Sequence, residues 1–77
     1  MKQVERIVKL TKEDILYRIN EINLLRFDNE VAHILEDALY SNFITCLSNG
    51  VYTIEEVIEL ANIVKSTEDI DFTRWYA

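Results

Sequence analysis

The sequence predicts an all-α protein: a small bundle of three main helices, at about residues 12–26, 29–48 and 54–65, with an aromatic C-terminal tail docked over it. Three observations predict this. Proline is absent and glycine occurs once, which disfavours a turn-rich sheet protein. Apolar residues recur at helical spacing through most of the chain. Helix-start signatures stand ahead of each apolar run. The 77 residues make one domain, 1–77, small enough that its stability is modest.

The first helix opens on Thr11-Lys12-Glu13-Asp14, a capping box with Asp as its fourth residue. Ile15, Leu16, Ile19, Ile22 and Leu25 then form one stripe, widened by Leu24 and Phe27. Before it, residues 1–10 are ambiguous. Val4, Arg6, Val8 and Leu10 alternate as in a strand, whereas Val4, Ile7 and Val8 suit a helical turn. An extended or loosely helical arm is favoured, and a strand there would need a partner from a second copy.

Asp28 or Asn29 caps the second helix, Asp28 being the better placed, with Glu30 in its first turn. At about 100° per residue, Val31, Ile34, Leu35, Ala38, Leu39 and Cys46 gather on one face, with Asn42 among them. Glu30, His33 and Asp37 lie on the opposite face, which Tyr40, Phe43, Ile44 and Leu47 continue as apolar surface. A helix apolar on both sides packs centrally. Ser48-Asn49-Gly50 ends it.

Thr53 and Glu56 form a second capping box, with Tyr52 and Val57 spaced as a hydrophobic staple. The third helix turns Ile54, Val57, Ile58, Ala61 and Val64 inward. Ile70, Phe72, Trp75 and Tyr76 make the tail, which docks as a short helix or hook or else serves as a partner surface.

Charge narrows the function. Residues 1–26 hold six bases and four acids, a net +2, and the remainder holds two bases and ten acids, a net −8. Direct nucleic-acid binding lacks a basic footprint. No run of 18 apolar residues is present to span a bilayer. The single cysteine, Cys46, reads as a small buried apolar group in a cytoplasmic protein.

One constellation carries chemistry. Glu30-x-x-His33 sets a carboxylate and an imidazole on adjacent turns, and Asp37 extends the same face. Carboxylate-bridged di-iron bundles present ligands in this way. Glu55, Glu56 and Glu59 are available as further carboxylates, but a second E-x-x-H is missing and would have to come from a homodimer. The plainer expectation is that His33 makes a helix–helix or subunit contact through Glu30, Asp37 or a tyrosine. No glycine-rich phosphate loop or nucleophile elbow occurs.

The run DNEVAHILEDALYSNFI and the tail DFTRWYA resemble a recurring class of short bacterial and phage proteins. In these an Asp, a Glu, an Ala-His pair and an acidic pair precede a Leu, and the chain closes on Arg-Trp. The likeness covers about half the chain. It implies a phage or mobile-element origin and no established activity. It marks Asp28, Glu30, His33, Asp37, Arg74 and Trp75 as family positions.

The leading functional expectation is a small acidic, non-enzymatic regulatory or inhibitory protein that binds another, basic protein. Its contact face combines Glu55, Glu56 and Glu59 with Arg74 and Trp75. The runner-up is a helical protein holding a divalent metal through Glu30, His33 and Asp37. The third is an acidic mimic of DNA.

Overall fold

The computed structural model of the chain describes residues 9–73. Three α-helices follow in order: α1 (Lys12–Leu24), α2 (Asn29–Ser48) and α3 (Ile54–Lys65). A 3-10 turn, Ser66–Asp69, continues from α3. No strand occurs among the described residues. The expected arm at residues 1–8 and the tail from Arg74 onward lie outside them.

Local chemistry sets the helix starts. Thr11 Oγ1 accepts from the Asp14 N–H at 3.1 Å, and Asp14 answers by accepting from the Thr11 N–H at 3.0 Å. Thr53 and Glu56 repeat this box at 3.1 and 3.0 Å. Asp28 caps α2 by accepting from the Val31 N–H at 3.2 Å. Each contact satisfies an N–H that the helix leaves without a partner.

The helix ends are equally local. α1 stops at Leu24 rather than continuing to 26, because Arg26 folds back to donate to the Asn23 carbonyl at 2.7 Å. At the end of α2, Gly50 takes φ +67°, its N–H donates to the Leu47 carbonyl at 3.0 Å, and the Val51 N–H reaches the Cys46 carbonyl at 3.5 Å. This pair of bonds is a Schellman ending, and it is where the chain uses its glycine.

The core gathers Leu10, Ile15, Ile22, Ala32, Leu39, Phe43, Cys46, Leu60, Val64 and Phe72. It contains residues of all three helices and of both flanking segments, and α2 supplies the largest share, as expected of a central helix. Cys46 is buried, as expected. Ile70 and Phe72 begin the docked tail: Phe72 is buried and Ile70 packs beside the core.

The buried edges differ from the expected ones. On α2 the buried line runs Ala32, Glu36, Leu39, Phe43 and Cys46, between the two faces drawn from the sequence. Val31 and Ile34 are exposed, Ile34 at 59%. On α3, Leu60 and Val64 are buried, whereas Ile54 and Ile58 face solvent. On α1, Ile15 and Ile22 are sealed and Leu16 and Leu24 are exposed, as are Leu25 and Phe27 just beyond its end. In each case the apolar arc is wider than the neighbouring helices cover.

Candidate functional site

α3 is joined by charge to the start of α1 and the residues leading into it. Lys9 reaches Glu56 at 3.3 Å and Lys12 reaches Glu59 at 3.0 Å. These pairs engage two of the three acids expected to form the contact face. Hydrogen bonds from Thr11 hold the Asp14 carboxyl below its ordinary range, and the Thr53 backbone, then Lys9, do the same for Glu56. Glu59 raises Lys12, and Glu68 raises Lys65, from which it stands 2.8 Å away. Glu55 is exposed. Arg74 and Trp75 lie outside the described residues.

The chain is further tied by tyrosines. Tyr52 donates its hydroxyl to the Leu10 carbonyl at 2.7 Å and packs its ring 5.7 Å from Phe43. Burial, and then Cys46, push the Tyr52 phenol up. Tyr40 and Thr67 share a hydrogen bond at 2.7 Å, and the Thr73 N–H donates to the Asn29 side chain at 3.2 Å. The segment 67–73 therefore runs back along α2, pinned at both ends. Asn29, His33, Glu36 and Tyr40 lie on successive turns of that side of the helix.

His33 and Asp37 do come together, with Nε2 3.6 Å from Oδ2. Helical i,i+4 spacing sufficed to anticipate this pair. Glu30 does not complete a metal site with them. Among the described residues no group of three or more His, Cys, Asp or Glu side chains is placed to hold a metal ion. Asp37 is also 65% exposed, so its carboxylate lies at the helix surface rather than in an enclosed donor set.

The sequence reading missed two features. Glu36 is a carboxylate only 4% exposed, in the middle of the buried line of α2. Its helical phase relative to Ala32, Leu39 and Phe43 was the available signal. The second is an open apolar groove of about 440 Å³ between α2 and α3. Tyr40, Phe43, Ile44, Ala61 and Val64 line it, with Lys65 and Glu68 at one end. No helix among the described residues is long and apolar enough to cross a membrane.

Comparison with protein-family models, curated proteins and solved structures gave no match.

Proposed function

We propose that this chain is a small acidic module that binds another protein, regulating or inhibiting it in the cytoplasm, with no reaction of its own. One observation carries the reading. Ten large hydrophobic residues are exposed among the described residues, from Leu16 on α1 to Ile58 on α3. Single exposed apolar residues are ordinary, but Val31 and Ile34 stand one turn apart on α2 and Ile54 and Ile58 one turn apart on α3, and grouped apolar residues mark interaction surfaces. The acidic balance directs the choice of partner towards a basic one.

Of the expected contact acids, Glu55 is the one with no ion pair among the described residues. The row needed to imitate DNA phosphates is interrupted where Lys9 and Lys12 meet Glu56 and Glu59, which favours protein binding by apolar contact over charge mimicry. Affinity capture, followed by titration of the purified captured protein in a calorimeter, tests the module reading. Saturable one-to-one binding, weakened by Trp75→Ala or Glu55→Lys, is expected. Failure of every captured protein to rebind as a purified species would remove it.

A further inference from the structure

The chain continues past α3 in a different form. Ser66–Asp69 make one 3-10 turn, and at Ile70 the backbone becomes extended, with φ −79° and ψ 126°. From there the side chains alternate: Ile70 and Phe72 pack inward, and Asp71 and Thr73 face solvent. Side-chain hydrogen bonds fasten this segment to α2. The Tyr40 and Thr67 hydroxyls meet at 2.7 Å, and Asn29 Oδ1 accepts from the Thr73 N–H at 3.2 Å. On α2 these fastenings stand about 16 Å apart along the axis.

The seam between them is polar. Glu36 and Thr67 are the buried polar residues among those described, at 4% and 0% exposure. Thr67 belongs to the segment, and Glu36 lies between Asn29 and Tyr40 on the side of α2 along which the segment runs. The seam is also acidic. Residues 66–73 carry Glu68, Asp69 and Asp71, residues 29–40 carry Glu30, Glu36 and Asp37, and neither stretch holds a lysine or arginine. Glu68 is drawn to Lys65, on its own side of the seam.

The helices keep their form through a repeat of local backbone bonds. Residues 70–73 have no such repeat. Each residue of the segment gives up backbone freedom to stay in place. From Thr67 to Thr73 only Thr67, Ile70 and Phe72 bury surface in return, and the other residues are exposed. Segments held by few buried contacts open more readily than the body they pack on.

We propose that residues 66–73 are a strap that opens from α2 as one unit while the three helices stay packed, with the Tyr40–Thr67 hydroxyl pair as its latch. Opening lifts Phe72 out of the core and uncovers the side of α2 that carries Asn29, His33, Glu36 and Tyr40. The closed form withholds that face and the open form offers it, so the strap is a conformational switch built into the fold.

Hydrogen exchange of the isotopically labelled full chain, with urea added below the unfolding transition, tests this. The Ile70 amide, bonded to the Thr67 carbonyl, and the Thr73 amide should exchange through one shared opening. That opening should be nearly independent of urea and at least tenfold more populated than the one that frees the amides of buried Leu39 and Leu60. Thr67→Val and Tyr40→Phe should each raise it about fivefold, the equivalent of one net hydrogen bond, and the double variant should raise it no further. Thr53→Ala, at the far end of α3, should raise the opening of Leu39 and Leu60 and leave that of Ile70 and Thr73 unchanged. Exchange of Ile70 and Thr73 only together with Leu39 and Leu60, or a shared response of all four to Thr53→Ala, overturns the proposal. So do latch variants without effect on Ile70 and Thr73, or unequal openings at these two amides, which show fraying one residue at a time.

Discussion

Leu39 and Ile34 stand one and a half turns apart on α2, and helical periodicity alone assigns both to the core. The structure separates them: Leu39 is 0% exposed and Ile34 is 59% exposed. Truncating either residue to alanine removes three carbons. For Leu39, at ~0.8 kcal/mol per buried carbon, the transfer loss is about 2.4 kcal/mol, and the cavity left behind brings it to about 3 kcal/mol. For Ile34, with two fifths of that burial, the loss is about 1 kcal/mol. The better helix propensity of alanine returns ~0.4 kcal/mol, leaving about 0.5 kcal/mol. A 77-residue domain has roughly 4–11 kcal/mol of total stability, so the larger change is severe and the smaller one slight. Urea unfolding followed by circular dichroism resolves them. With a denaturant slope of about 1 kcal/mol per molar, the midpoint should fall by about 3 M for Leu39→Ala and about 0.5 M for Ile34→Ala. Equal losses at the two sites would refute the placement of the buried line on α2.

Further expectations concern the helix ends and pH. Thr53→Ala should cost about 1 kcal/mol in urea unfolding, because it removes the cap that accepts from the Glu56 N–H. Gly50→Ala should cost about 1 kcal/mol despite open space around the new Cβ, since the penalty comes from φ +67° alone, and Gly50→Asn should cost less. The pH profile should narrow from both sides. Asp14 and Glu56 have lowered folded-state values, so their contribution is complete above their ordinary values of 3.8 and 4.5 and is lost as pH falls further. Lys12, Lys65 and Tyr52 are raised, so their contribution is complete below 10.0 to 10.5 and is lost as pH climbs beyond. Melting temperatures across pH 2–12, with the Thr11→Ala and Lys12→Met variants for comparison, check both limbs.

Much of the fold was legible because the signals that set it are short-range. The two capping boxes and the Asp28 cap each lie within four residues, and the Gly50 ending is equally local. Both α2 and α3 accordingly have their expected limits. The buried edges were less legible. A helical wheel shows the width of an apolar arc, but not which part of it a neighbour will cover. On α3 the arc includes Ile54, Ile58, Leu60 and Val64, and packing chose Leu60 and Val64.

The candidate site divides along the same physical line. His33 and Asp37 are four residues apart on one helix, and the spacing announced the pair. Glu56 is 47 residues from Lys9, and nothing local indicates that the two meet. The contact face expected from acidic composition thus has two of its acids in ion pairs with Lys9 and Lys12, and the apolar groove lies on the other side of α3.

The most direct test of this account is a backbone amide shift map of the isotopically labelled full chain, titrated with a purified captured partner. The account predicts changes concentrated at the exposed apolar pairs, Val31 and Ile34 on α2 or Ile54 and Ile58 on α3, with Lys12 and Glu59 unmoved. Changes centred on the Lys9–Glu56 and Lys12–Glu59 pairs, or spread evenly over the chain, would contradict it.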